Sequence, residues 1–343
     1  MAYVLGMNPK KLHRWYKGHL SGYAANEMGE HDIVVREQGE DIPIKVPIHA
    51  SENIGPHMAI DEKNIGGHCF TILTNRTTGK IASMVDSLKV EHLVKVYQRF
   101  DNRMEVRSLT RDLAQNYDWL GRQMFINAYH VADKFHVIKN VLECLQNIRV
   151  EHRQFELARR RQAHESHREE EATRKWKSKL NQNRPYKPRP FKYEEYIHVN
   201  GDTTLQLLAR SRGLLFKLPH QWTNHQKVRA QILFEAYPDI HHAYKLIIEY
   251  RKWYEKSSLN NRSLKEKNLN VIVSKMEDLD IYQLSNVASL IKRHMGVILN
   301  YFVAHQTNAL AETINGIIQR FVRVNFGTKD LDFFLYRLKA YLA

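Results

Sequence analysis

Apolar and polar positions alternate with a short period over residues 32–140 and with a longer one elsewhere. The short-period runs predict strands near Asp32–Arg36, Ile42–Ile48, His57–Asp61, His68–Thr74 and Lys80–Ser87. Asn75-Arg-Thr-Thr-Gly79 reads as the hairpin loop between the last two. Helical spacing appears at Val90–Arg99, before a strand-like run from Arg103 to Leu109. A second helix is expected from Asp112 to about Arg122, then a strand at Ala128–Asp133. From His57 the order is β-β-β-α-β-α-β, followed by a long helix.

A hairpin-led sheet that continues through crossover helices predicts a mixed α/β layer. The element order is that of an RNase H-like core, in which the first strand neighbours the fourth and their ends meet. Residues 141–303 read instead as helices with charged loops, so the predicted core is interrupted by a large all-α insertion before its last helix. Within it, Lys227–Tyr237 and Ala243–Tyr254 are helical to either side of Pro238, and Asp280–Phe302 holds one or two more helices. In Asn308–Phe321, residues Leu310, Ile314, Ile317, Ile318 and Phe321 make one apolar stripe, while Asn308, Glu312, Asn315 and Gln319 make a polar one. At the other end, Asn8-Pro9 is a good helix start, since Asn caps and Pro is tolerated in the first turn. The helix it opens carries Lys10, Lys11 and Arg14. It is either the second helix of a shortened helix-turn-helix or an ordinary surface helix. The expected division is therefore 1–50 (partial helix-turn-helix and lead-in strands), 51–140 (first part of the core), 141–303 (basic helical insertion) and 304–343 (C-terminal core helices).

Charge changes the picture. The chain carries a formal net charge of +15, which points to a polyanionic partner, nucleic acid before anionic membrane. Residues 149–192 hold fourteen Lys/Arg against six Asp/Glu, a surplus of eight. Arg159-Arg160-Arg161 and the proline-rich run 184–190 lie within that segment, the first suited to a solvated helix and the second to an extended arm. Such a tract neutralises phosphates without reading sequence. Trp176, Trp222 and Trp253 are candidates for base stacking, with core packing the plainer role. No apolar run reaches the roughly 18 residues of a membrane span, and the N-terminus has no signal-peptide pattern. The two cysteines, Cys69 and Cys144, cannot form a zinc site alone and fit a reducing cytoplasm.

Three acids stand where carboxylates make most sense if used. Asp61 closes one strand, Asp112 follows another, and Glu312 sits on the amphipathic helix with amides beside it. Brought together they would hold divalent metal, and two such ions about 4 Å apart suit phosphoryl chemistry. Asp133-Lys-Phe-His136 joins a strand end to a helix start. Its aspartate and histidine read as structural neighbours of the site, with His136 as a direct ligand the lesser reading.

The runs Ala59-Ile-Asp-Glu-Lys63, Leu109-Thr-Arg-Asp112, Phe125-Ile-Asn-Ala128, Asp133-Lys-Phe-His136, Ser211-Arg-Gly-Leu-Leu-Phe-Lys217 and Asn308-Ala-Leu-Ala-Glu-Thr-Ile-Asn315 together resemble bacterial insertion-sequence transposases of the ISL-three type. The resemblance runs from Ala59 to the C-terminus. It implies a DDE transposase with Asp61, Asp112 and Glu312 as catalytic metal ligands for two Mg²⁺ (or Mn²⁺), and Asp133 and His136 as the family's Cys/Asp-x-x-His element. It further implies double-stranded DNA partners (terminal inverted repeats and target), a homodimer or larger assembly on DNA, and a bacterial, nucleoid-associated protein of the cytoplasm. Lys10, Lys11, Arg14, Arg159, Arg160, Arg161, Arg320 and Arg323 are the expected phosphate contacts. The sequence departs from the family at Ile126, where proline is usual, at Lys134, where arginine is usual, and at Gln319, in a stretch more often lysine-rich. The family's cysteine-rich, fuller helix-turn-helix opening is also not matched in full. A DNA-binding regulator without cleavage, and an RNase H-like nuclease or resolvase, remain open alternatives at this point.

Overall fold

A computed structural model describes residues 2–25, 29–180, 185–255, 261–304, 309–324 and 330–342, with backbone alone at 304, 309–312 and 315. The chain divides into two compact units, Met1–Val137 with Gly296–Ala343, and Ile138–Met295.

The first unit begins with α1 (Pro9–Trp15), β1 (Ile33–Glu37), β2 (Glu40–Ile44) and β3 (Ile48–His49). Then come β4 (His57–Ile65), β5 (His68–Asn75), β6 (Ile81–Val85), α2 (Val90–Tyr97), β7 (Ser108–Arg111), α3 (Gln115–Met124) and β8 (Tyr129–Ala132). Helix α4 (Lys134–Leu180) leads into the second unit, which holds α5 (Thr204–Arg210), α6 (Arg212–Leu215), α7 (Asn224–Ala236), α8 (Pro238–Glu255) and α9 (Arg262–Asp278). Helix α10 (Tyr282–Ala304) returns the chain to the first unit, which ends with α11 (Ala309–Val324) and α12 (Leu331–Leu342).

Six strands form one sheet in the order β3-β6-β5-β4-β7-β8. β4, β5 and β6 are antiparallel neighbours, and β7 and β8 add in parallel to β4. Counted from β4, this is the RNase H-like order, with the short β3 added at one edge. The turn between β4 and β5 is Gly66-Gly67, with φ of +60° and +88°, a pairing that glycine adopts without strain.

Period-two patterning splits the sheet's two faces. Met58 and Ile60 of β4 and Leu109 of β7 point to one side, where Leu93, Val96 and Tyr97 of α2 and Tyr117 and Leu120 of α3 close over them. Ile65, Phe70, Ile72 and Met84 point to the other side, against Ile314 and Ile318 of α11 and Phe334, Leu335 and Leu338 of α12. Burying each such side chain is worth roughly 1.5–3 kcal/mol. On the first face the fit leaves no slack at Gly121. A Cβ there would lie 2.7 Å from His130 Cε1 and 2.9 Å from Leu109 Cδ2. Gly121→Ala is therefore expected to destabilise the first unit by roughly 1–3 kcal/mol through overpacking, read as a lower urea midpoint. An unchanged midpoint would mean that α3 can shift away from the sheet.

Several sequence expectations move. Ile42–Ile48 is not one strand: β2 ends at Ile44 and pairs only with β1, and Pro47 separates it from β3. Pro43 has no N–H to donate and is tolerated because β2 belongs to a two-stranded sheet. The strand expected from Arg103 begins only at Ser108, because Asp101–Glu105 form a 3₁₀ turn in which Arg103 donates to the Phe100 carbonyl at 2.9 Å. Asp112 does not open a helix. It lies in the link to α3, with Leu113 N–H donating to the Asp112 carboxylate at 2.6 Å.

At the N-terminus, Asn8 caps α1 by accepting from Lys10 N–H at 2.9 Å. Residues 2–6 form turns, so the first helix of a helix-turn-helix is not present among the described residues. Instead the segment packs on α12. Tyr23 meets the ring of Phe333 at 5.2 Å, Lys17 pairs with Asp330 at 2.5 Å, and Tyr336 donates its hydroxyl to the Ser21 carbonyl at 2.7 Å.

In the second unit α8 carries the densest core, with Ile240, Ala243, Ile247 and Tyr250 fully buried. Trp253 is buried and donates to the Lys265 carbonyl at 3.1 Å, while Lys265 Nζ donates to the Trp253 carbonyl at 2.7 Å. Trp222 stacks on Tyr244 at 5.5 Å. Both tryptophans therefore pack within the protein, whereas Trp176 is exposed. Among the described residues no helix is long and apolar enough to cross a membrane.

Candidate active site

The parallel ladder sets the site. β4 pairs with β7 through His57↔Ser108 and Ala59↔Thr110, and β7 pairs with β8 through Ser108↔Tyr129 and Arg111↔Ala132. Continued past the last bonded pairs, the same registers bring Asp61 opposite Asp112 and Asp112 opposite Asp133. Three aspartates thus stand in one row where the parallel ladder ends, Asp61 within β4 and Asp112 and Asp133 just past β7 and β8. Side chains alternate along a strand, so Asp61 shares a face with Ile65, the face that α11 covers.

His136, in the first turn of α4, gathers the row. Its Nε2 is 3.7 Å from Asp61 Oδ1 and 3.8 Å from Asp133 Oδ2, and its Nδ1 is 3.5 Å from Asp112 Oδ2. The nearby Asp61 carboxylate raises the imidazole pKa above its usual value, burial opposes this, and the charges of Asp112 and Asp133 add to the rise. The row therefore attracts positive charge, as a cation site must.

The three carboxylates differ in surroundings. The Asp61 and Asp112 side chains are 25% and 36% exposed, and the Asp133 side chain only 7%. Asp133 accepts from Phe135 N–H at 2.9 Å and so caps α4. It also lies in the field of Arg76, a buried guanidinium that donates to Thr110 Oγ1 at 2.8 Å. Burial lowers the Arg76 pKa and Asp133 opposes that shift. On the next strand, buried Arg111 pairs with Asp118, donates to His130 Nδ1 at 3.2 Å and donates to the Asp112 carbonyl at 2.9 Å. Asn300 of α10 donates to the His130 carbonyl at 2.7 Å. On the opposite sheet face Tyr117 donates its hydroxyl to Glu62 at 2.6 Å, which separates Glu62 from the row.

Of the expected site residues, Asp61, Asp112, Asp133 and His136 come together. Glu312 falls on α11, which packs against the same sheet face through Ile314 and Ile318, but its side chain lies outside the described residues, as does Asn308. Among the described residues no group of three His, Cys, Asp or Glu is spaced to hold a metal ion. Arg320 and Arg323 are exposed on α11, and Lys10, Lys11 and Arg14 are exposed on or beside the N-terminal helix. In the second unit, Arg159, Arg160 and Arg161 are exposed on α4, with Arg160 bonded to Glu195 at 2.8 Å. Sequence reasoning missed Arg76. It sits in a polar hairpin loop that looks solvated, and only the fold turns it inward.

The chemistry fits a hard cation. Two partly exposed carboxylates in register offer oxygen ligands with room for water, as magnesium requires. Comparison with known families agrees. A family model described as transposase, of the ISL-three DDE type, matches residues 58–338. No curated protein and no solved structure matches the chain.

Proposed function

We propose, since the chain belongs to the ISL-three-type DDE transposase family, that it cuts DNA at the ends of an insertion element and joins the freed 3′ hydroxyl to target DNA. The observation that carries this reading is the shared register of Asp61 and Asp112 across two parallel strands. Asp61 and Asp112 would hold divalent metal, with Glu312 as the third ligand. A bound pair of magnesium ions would activate the attacking oxygen and stabilise the leaving one. The chain's own contribution is positional. Sheet register fixes the two carboxylates, and His136 steadies them while metal is absent. Asp133, buried and committed to its cap and to Arg76, supports α4 beside the site.

Phosphate contacts would come from Arg320 and Arg323 on α11, from Lys10, Lys11 and Arg14, and from Arg159, Arg160 and Arg161. Paired element ends favour a dimer or larger assembly on DNA. Neutralising Arg159, Arg160 and Arg161 together is expected to lower duplex affinity and to flatten its salt dependence, by about 0.9 in log–log slope for each phosphate no longer neutralised. A slope equal to that of the unaltered protein would place these arginines away from DNA.

The direct test incubates the protein with magnesium and a duplex carrying the inverted repeats that flank the gene, plus a target plasmid. Joined products support transposition. Cleavage without joining would favour a nuclease, and binding without cleavage a regulator.

A further inference from the structure

The basic arm does not hang free. Residues 185–196 have no helix and lie outside the named strands, and Pro185, Pro188 and Pro190 deny the arm backbone donors. It nevertheless has fixed partners along α4. Tyr186 donates its hydroxyl to Glu171 at 2.9 Å, and Arg189 N–H donates to the same carboxylate at 3.1 Å. The Phe191 ring lies 4.6 Å from that of His164 and 4.7 Å from that of His167. Glu195 pairs with Arg160 at 2.8 Å, and Arg160 lies 6.0 Å from the Tyr193 ring. As the arm advances from Tyr186 to Glu195 its partners retreat from Glu171 to Arg160, so it runs antiparallel to the helix. From Glu171 to Arg160 the helix covers about 16 Å, and from Arg189 to Glu195 an extended chain covers about 19 Å. The two lengths match only for an arm that is nearly fully extended.

Helix burial agrees with this arrangement. Along this exposed stretch of α4, Ala163, His167, Glu171, Arg174 and Ser178 are half-buried, a stripe at helical spacing. The basic side chains Arg161, Arg168, Lys175, Lys187, Arg189 and Lys192 remain exposed on the helix and the arm. Glu171, the last of three consecutive glutamates on the helix, is the one that holds the arm. Burial pushes its carboxyl pKa up, but the Arg189 amide, Arg174 and Tyr186 outweigh that and hold it at about 2. A carboxylate with three donors in this setting is a fastening.

We propose that Glu171 latches the arm onto α4, so that helix and arm form one preformed basic ridge that binds the phosphate backbone of duplex DNA. The proposal rests on the DNA reading above and deepens it. Preforming the arm removes the ordering cost that a free basic tail meets on binding. Charge counting and the latch give opposite signs for one substitution. Glu171→Ala removes a negative charge from a basic surface and, on charge alone, tightens binding. As a latch its loss weakens binding.

The test measures anisotropy of a fluorescent duplex of arbitrary sequence with the full chain across a salt series, beside trypsin cleavage after Lys192, the one basic residue of the arm not followed by proline. Glu171→Ala is expected to weaken binding roughly five- to tenfold, with the salt slope kept because every cationic side chain remains. Arm cleavage should quicken. Tyr186→Phe, which changes no charge and removes one hydroxyl, should move both readings in the same direction. If the unaltered protein binds the duplex while both variants bind as tightly or tighter, or keep the arm protected, the latch is wrong and the DNA reading survives. If the unaltered protein ignores the duplex, or binds phosphatidylserine vesicles instead, the DNA reading itself fails and the ridge with it.

Discussion

Asp61→Asn is expected to silence the proposed magnesium-dependent strand cleavage, with a loss on the order of 10³-fold or more, and to leave the fold intact. Asp112→Asn should do the same. Both carboxylates sit in one register row across β4 and β7, both are partly exposed, and both face one imidazole. Removing either takes a carboxylate from the proposed metal site. Stability should move the other way. Like charges held close repel, and the rise in the His136 pKa beside Asp61, Asp112 and Asp133 is the effect of negative potential in the row. Each asparagine variant should therefore melt at the same temperature as the unaltered protein or slightly higher. Duplex affinity should be kept or raised, since a negative group has left the surface proposed to meet phosphates. The measurement is product formation on a labelled duplex, with thermal melting in parallel. Cleavage at the unaltered rate in either variant, with a normal melt, would remove that aspartate from the chemistry.

Most of the sheet was legible because its strands alternate cleanly. His68–Thr74 was placed well, and so was the start of His57–Asp61, because a slip of one residue would expose Met58 and Ile60, but Asp61 does not close its strand, since β4 runs on to Ile65. The apolar stripe of α11 was legible for the same reason, and Ile314, Ile317, Ile318 and Phe321 do pack as one surface. Where local hydrogen bonding competes with patterning, the reading drifted. Arg103 satisfies the end of a turn and delays β7, and two prolines divide Ile42–Ile48. The meeting of Asp61 with Asp112 was legible only through topology, since strand order and not spacing makes them neighbours. Asp133 was expected beside the site, and its place in the same row follows from the β7–β8 register. The inward turn of Arg76 was hidden, being a property of a loop. The arm's partners lie on α4, which no periodicity of the arm itself could show.

The row raises a question that its third member answers. Asp133 has the position of a ligand, but its side chain is 7% exposed and already engaged. Asp133→Asn keeps an oxygen to cap α4, so the cap changes little. What it removes is the charge that offsets buried Arg76. A buried cation that loses a compensating charge is destabilised, here by an expected loss of roughly 1–3 kcal/mol. The expected result is a urea midpoint well below that of the unaltered protein, with manganese binding by calorimetric titration retained. Adding Arg76→Met removes the stranded cation, so the double variant should recover part of the stability lost by Asp133→Asn. That non-additivity marks the two groups as a pair. Asp61→Asn should give the mirror image, with binding lost and stability kept. An Asp133→Asn protein that melts normally but no longer titrates manganese would make Asp133 a ligand. The choice between two carboxylates and three would then pass from Arg76 to the metal.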